Sequence, residues 1–132
     1  MNIKNYFEGI RGTGILATSD RAGNVNSAVY AKPHMMEGNK VAFIMRQRLT
    51  HKNLQENPHA NYLFKLDGKG YEGIRLYLEK TAEKQDIEAI SKLQRRKRSS
   101  AEDSELGPKF LVYFKVKKIL TLVGDKSPGL SM

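Results

Sequence analysis

Residues 12–66 read GTGILATSDRAGNVNSAVYAKPHMMEGNKVAFIMRQRLTHKNLQENPHANYLFKL, and this stretch decides the fold. It contains three short apolar runs, at residues 15–18, 25–31 and 41–45. Two clusters of turn-forming residues separate the runs, DRAGN and EGNK. Runs of β-branched and apolar residues bounded by Gly, Asn and Asp predict antiparallel strands joined by hairpins. We therefore expect this meander to build a small barrel.

Hydrophobic periodicity places the other elements around the meander. It predicts strands at residues 13–19, 25–32, 40–46, 60–66, 73–83 and 109–123, and helices at 2–10, after an N-cap at Thr50, and at 86–98. The last strand is long, so a bend is expected near Lys117 and Lys118. The predicted fold class is mainly β (α+β), in one domain of residues 1–124. The tail at 125–132 is expected to be disordered or to face a partner.

Composition narrows the classes of function. The 132 residues contain 23 basic and 14 acidic side chains, a net charge of +9, which favours an anionic partner. The chain has no cysteine, and His34, His51 and His59 are scattered, so no metal site is expected. No apolar run is long enough to span a bilayer, and the N-terminus lacks the apolar core of a signal peptide. We predict a cytoplasmic protein without a membrane partner.

The basic turn after the third predicted strand is the most informative local signal. Arg46, Arg48, His51 and Lys52 surround Thr50, the predicted N-cap of a short helix. A helix N-terminus offers free N–H groups and partial positive charge, which suits an anion such as phosphate. The alternative interpretation is an ordinary solvated basic turn.

The second predicted strand and its exit carry polar residues that could contact a ligand. Asn26 and Tyr30 lie on one face of the strand and are either ligand contacts or packing residues. Tyr30 and His34 are the two acid–base candidates. A different basic run, RRKR at residues 95–98, favours either a solvated helix end or contact with nucleic-acid phosphates.

Three segments in this order resemble the FMN-binding split-barrel family of pyridoxamine 5′-phosphate oxidase. They are GILATSDRAGNVNSAVYAKP, then KVAFIMR followed by LTHKNLQENPHANYLF, and finally KFLVYFKVKKILTL. The resemblance covers roughly residues 5–124. It implies a six-stranded antiparallel split β-barrel with a few peripheral helices, and a homodimer with FMN at the interface.

The resemblance also implies a set of FMN-binding residues. The flavin phosphate would be held by Arg46, Gln47, Arg48, Thr50 and Lys52. The isoalloxazine ring would lie along Asn26, Ser27, Ala28, Val29 and Tyr30, in contact with their backbone groups.

Three functions remain open on these grounds. The leading prediction is a flavin-dependent oxidoreductase whose cofactor performs the chemistry, with a nicotinamide or another small molecule as electron donor. The second is a module that carries FMN, or haem, without turning over a substrate. The third and weakest is a basic nucleic-acid-binding barrel that uses residues 95–98.

Overall fold

The computed structural model describes residues 1–68, 70–94 and 106–132. Its elements follow one another as α1 (Ile3–Phe7), β1 (Gly12–Ser19), β2 (Val25–Val29), β3 (His34–Met36), β4 (Lys40–Arg46), α2 (Leu49–Glu56), β5 (His59–Leu66), β6 (Gly73–Lys84), α3 (Ile87–Leu93) and β7 (Lys109–Thr121). The predicted mainly β class with peripheral helices is confirmed. No helix among the described residues is long and apolar enough to cross a membrane.

The strands form one antiparallel sheet in the order β2-β1-β5-β6-β7-β4-β3. The prediction of six strands is wrong, because the described part of the chain contains seven. The sheet is also not closed: no ladder among the described residues joins β2 to β3, which are its two edges.

The seventh strand is the short β3, in a segment that the prediction left as a loop. β2 ends at Val29, earlier than predicted, and Pro33, which cannot donate a backbone hydrogen bond, lies between β2 and β3. The chain then pairs His34 with Ala42 and turns into β4. Gly38 and Asn39 have φ values of 75° and 58°, the left-handed conformation that a tight hairpin requires.

The main core lies between the curved sheet and α1. Asn2 caps α1 by accepting a hydrogen bond from the Asn5 N–H, and Ile3 and Phe7 are buried. The helix ends at Phe7, earlier than predicted. Phe7 packs edge-to-face on Phe64, with their ring centroids 5.3 Å apart. Aromatic pairs of this kind stabilise a core beyond their buried area.

Helix α3 covers the opposite face of the sheet, where Ile90 packs against Ala42 and Leu111. Asp86 caps this helix through the Ala89 N–H. Ile87, the first residue of this short helix, is 80% exposed. The predicted cationic run at 95–98 lies outside the described residues.

The C-terminal part differs from the prediction in one respect. The expected irregularity in β7 is present: Tyr77 faces Lys118 while Leu78 faces Val116, so Lys117 is bulged. The tail, however, folds back. Ser131 forms a bridge with Asn2, and Leu130 and Met132 pack against the core. Residues 125–132 therefore belong to the folded unit rather than to a free tail.

Candidate functional site

The outer edge of β2 presents backbone hydrogen-bonding groups. The Tyr30 N–H donates to the Gly14 carbonyl at 3.0 Å, and the Asp20 N–H donates to the Asn24 carbonyl at 3.1 Å. Hydrogen-bonded and non-hydrogen-bonded positions alternate along an antiparallel pair. The intervening residues that point their N–H and C=O groups away from β1 are therefore Val25, Ser27 and Val29. No described strand pairs with this edge.

A groove of about 360 Å³ joins this edge to the start of α2. It is lined by the predicted ring-binding residues Asn26, Ser27, Ala28, Val29 and Tyr30, by the predicted phosphate-binding residues Arg46, Arg48 and Thr50, and by Ile44 and Leu49. Two segments that are separated in sequence thus meet at one concave surface.

Helix α2 begins two residues earlier than the sequence predicts. Arg48, not Thr50, is the N-cap residue, and its side chain makes no capping hydrogen bond to any residue that the structure describes. The N–H groups of the first helical turn have no intrahelical partner in an α-helix. Arg48 and Leu49 border the groove there, so this helix start is suited to an anion.

Thr50 has a structural role that the sequence did not indicate. It is buried in the first turn of α2, with 4% exposure. Its hydroxyl contacts the Asn26 amide nitrogen at 3.5 Å and forms a hydrogen bond with Tyr30. Thr50 therefore ties the start of α2 to the β2 side of the groove.

Tyr30 is shared by the groove and the core. Its ring packs edge-to-face on Phe43, with the centroids 5.8 Å apart. Burial raises the pKa of its hydroxyl above the ordinary value, and the hydrogen bond with Thr50 and the charge of Arg48 offset this only in part. Tyr30 is consequently a neutral hydrogen-bonding group at physiological pH.

A glycine on β1 allows the exit of β2 to come close to the core. The Tyr62 hydroxyl donates to the Tyr30 carbonyl at 3.1 Å. A Cβ atom at Gly14 would overlap both the Tyr62 hydroxyl and the Tyr30 carbonyl oxygen. The position of Tyr30 thus depends on the missing side chain at Gly14.

Arg46 lies at the end of β4 and borders the groove. The side chain is half-buried, and its Nη1 donates to the Gly107 carbonyl at 2.8 Å. This contact fixes one side of the guanidinium at the border of the groove. A planar guanidinium suits a phosphate group, because the geometry of its N–H donors matches that of the phosphate oxygens.

Two of the predicted phosphate residues are not in the groove. Gln47 and Lys52 line a neighbouring depression together with Arg48, His51 and Gln55. Arg48 is shared by both surfaces because it stands between them. His34, an acid–base candidate, lies on β3 and lines a third depression with Lys4, Glu8 and Lys32.

His51 is the residue at this site whose role the sequence did not reveal. It is 7% exposed, and its ring stacks on Phe110 with centroids 3.9 Å apart. Its Nε2 lies 3.0 Å from a carboxylate oxygen of Glu83 on β6. No local pattern connects His51 with Glu83, so only the fold could identify this pair.

No family model matches the chain, and no curated protein matches its sequence significantly. Solved structures do match. An FMN-binding protein from Syntrophomonas wolfei subsp. wolfei is 26% identical, with a TM-score of 0.69 over 86% of this chain and 78% of that one. HupZ from Group A Streptococcus is 18% identical, with a TM-score of 0.66 over 89% of this chain and 90% of that one.

A pyridoxamine 5′-phosphate oxidase-like protein from Lactobacillus delbrueckii is 14% identical, with a TM-score of 0.63 over 88% of each chain. The structural neighbours are thus FMN-binding and pyridoxamine 5′-phosphate oxidase-like split-barrel proteins. They confirm the family resemblance that the three sequence segments indicated.

Proposed function

We propose that the groove between β2 and the start of α2 binds FMN, and that the protein is a flavin-dependent oxidoreductase. The observation that carries this proposal is the meeting of two complementary surfaces in one groove. One is an unpaired strand edge with backbone donors and acceptors, and the other is a basic helix start. The FMN-binding protein of similar fold supports the same cofactor.

The residues present suit the two ends of FMN. The phosphate would lie near Arg46, Arg48 and the first turn of α2, where guanidinium groups and free N–H groups attract an anion. The isoalloxazine ring carries hydrogen-bonding groups on its pyrimidine edge, which Ser27 and its neighbours on β2 would meet with their backbone. Ala28 leaves room for a flat ring beside the strand. Bound FMN would supply the electron-transfer chemistry, and the protein would orient it.

One observation favours a second candidate function, an FMN carrier without substrate turnover. The described residues that line the groove include no carboxylate and no imidazole, and Tyr30 is held neutral. An electron-transfer module needs no protein acid or base. The two functions share the cofactor and differ in whether a donor reduces it with turnover. Haem is the other cofactor that such a carrier would hold.

A homodimer with FMN at its interface is the proposed assembly. Val25 and Val29 are 83% and 77% exposed on the β2 edge. From Val29, paired positions on neighbouring strands form a row across the sheet. The row is apolar except for Arg75, and it consists of Val29, Ile15, Leu63, Arg75 and Leu120. An apolar row of this kind on one sheet face is typical of a surface that another protein covers. Sedimentation equilibrium should give the mass of two chains, and the mass of one chain would contradict the assembly.

The test of the cofactor is the visible absorption spectrum of the purified protein after FMN is added and the sample desalted. Retained bands of oxidised flavin support the proposal, whereas a colourless protein contradicts it. Anaerobic addition of a nicotinamide donor to the loaded protein then separates the two candidates. Rapid bleaching indicates an oxidoreductase, and an unchanged spectrum favours a carrier.

A further inference from the structure

We propose that His51 and Glu83 are positioning residues for the flavin phosphate, because together they hold the first turn of α2 against the groove. Neither side chain would itself touch the cofactor. The inference rests on the proposed function, and it assigns a role to the hydrogen-bonded cluster around the buried His51.

The geometry of His51 makes it an anchor rather than a surface histidine. It is the third residue of α2, directly after Thr50, which lines the groove. The face of its ring stacks on the ring of Phe110, with the centroids 3.9 Å apart and an interplanar angle of 16°. The ring nitrogen Nε2 is held at its edge, 3.0 Å from Glu83 Oε2. A ring fixed in two directions restrains the backbone that carries it.

Glu83 is in turn held by several donors. The Lys80 ammonium donates to its Oε1 at 2.6 Å, and the Gln55 amide, one helical turn after His51, donates to the same oxygen at 2.8 Å. Burial alone would raise the pKa of Glu83, but the hydrogen bonds from Lys80, Gln55 and His51 lower it to about 2. The carboxylate is therefore anionic across the neutral range, and it binds α2 at two successive turns.

The cluster connects the start of α2 with Arg46, the two parts of the site that would contact the phosphate. Phe110 stands opposite Met45 in the β4–β7 ladder, and the next pair of that ladder is Arg46 with Lys109. The stacking of His51 on Phe110 thus sets the distance between the start of α2 and the Arg46 guanidinium. Misplacing a binding group by about 1 Å is enough to weaken its action strongly.

Thr50 and His51 hold the same turn from opposite sides. Thr50 fixes it to β2 through Asn26 and Tyr30, and His51 fixes it to β6 and β7. The Arg48 side chain does not cap the helix through any described residue, so these two contacts replace a cap. Loss of the His51 contact should displace the phosphate end of the groove while leaving the β2 edge in place.

The experiment compares the affinities of FMN and riboflavin, which share the ring but differ in the phosphate. Dissociation constants are measured by quenching of flavin fluorescence for the full-length protein and for two variants. His51→Phe keeps the stacking on Phe110 and removes the bond to Glu83. Glu83→Gln keeps the shape of that side chain and removes its charge. Glu79→Gln is the control, since its partner Lys117, 3.2 Å away, lies far from α2 in sequence and both side chains are more exposed.

The expected result is a roughly tenfold loss of FMN affinity in both variants with little change for riboflavin, as is typical when supporting contacts of a binding group are removed. Glu79→Gln should retain both affinities. A parallel loss for FMN and riboflavin, or no loss for either, would overturn the inference, because a purely stabilising role does not discriminate between the ligands. If the unmodified protein binds neither flavin, the proposed function itself fails.

Discussion

The two sides of the groove are built in different ways. The β2 side offers backbone groups of an edge strand, and the side chains of Val25, Ser27 and Val29 point into solvent. The α2 side offers side chains and a helix start, and its residues Thr50 and His51 are buried in hydrogen-bonded contacts. Binding on the β2 side would therefore depend on the path of the strand, whereas binding on the α2 side would depend on the identity of its side chains.

This difference predicts which substitutions each side tolerates. A backbone surface is insensitive to its exposed side chains but sensitive to the course of the strand. A side-chain surface is sensitive to each charged group and to the residues that hold it. Ligands that differ only in the phosphate should therefore report on the α2 side alone.

The largest effect is expected for a substitution at Gly14, because the close approach of the end of β2 requires a residue without a side chain there. In Gly14→Ala the new methyl group would overlap the Tyr62 hydroxyl and the Tyr30 carbonyl oxygen. Overpacking of this kind costs about 1–3 kcal/mol of unfolding free energy. Urea unfolding should show this loss, and weaker binding of both FMN and riboflavin should accompany it.

A second substitution checks the cause of that loss. Tyr62→Phe removes the overlapped oxygen and, alone, should cost about 1 kcal/mol through the lost hydrogen bond. Combined with Gly14→Ala it should cost less than the sum of the two changes. Strict additivity would contradict the close approach of Gly14, Tyr62 and Tyr30.

The next effect concerns a single charge on the α2 side. Arg48→Ala should weaken FMN binding by about 1.5–3 kcal/mol, the usual range for a hydrogen bond to a charged group, and leave riboflavin binding unchanged. Arg21→Ala is the matched control, because this exposed arginine lies in the β1–β2 turn and is absent from the groove lining. Equal losses in the two variants would show that net charge, rather than the site, attracts the ligand.

A smaller effect is expected on the free energy of unfolding when the contacts of Glu83 with Lys80, Gln55 and His51 are weakened. The pKa of Glu83 is lowered from 4.5 to about 2, so its contribution is complete above pH 4.5 and is lost as the pH falls toward 2. Glu83→Gln should therefore unfold more easily than the unmodified protein at pH 7, by about 1 kcal/mol. The difference should shrink steadily between pH 4.5 and pH 2.

Urea unfolding at several pH values measures this difference, and comparison with the unmodified protein cancels the other carboxylates. Glu79→Gln removes the same charge from an exposed pair and should change stability less. A difference for Glu83→Gln that stays constant from pH 7 to pH 2 would contradict the role of the ionised carboxylate.

The sequence could predict what depends on local pattern. Alternation located most strands, and the three segments indicated the family. The sequence did not predict β3, because a strand of three residues is too short to show an alternation. It placed Thr50 at the helix start because threonine is a common N-cap, whereas burial against Asn26 gives it another role.

Contacts between residues far apart in sequence limited the prediction of the site. His51 and Glu83 are 32 residues apart, and nothing near either residue indicates the other. The family resemblance grouped Gln47 and Lys52 with Arg48 as phosphate-binding residues. The path of the chain into α2 turns them to the neighbouring depression, away from the groove. The sequence located the turn beside the groove, but not which of its side chains line the groove.

The smallest effect is expected on the backbone side of the groove. Ser27→Ala removes an exposed hydroxyl from the centre of β2, and the backbone groups that face the open edge remain. FMN affinity should change by less than about 0.5 kcal/mol, as is usual for a surface substitution without a partner. Ser27→Pro is the contrasting variant, because proline removes the N–H that this edge offers. It should weaken FMN and riboflavin equally, since both carry the same ring. If Ser27→Ala weakened binding as much as Ser27→Pro, the β2 side would act through its side chains, and the contrast between the two sides of the groove would be wrong.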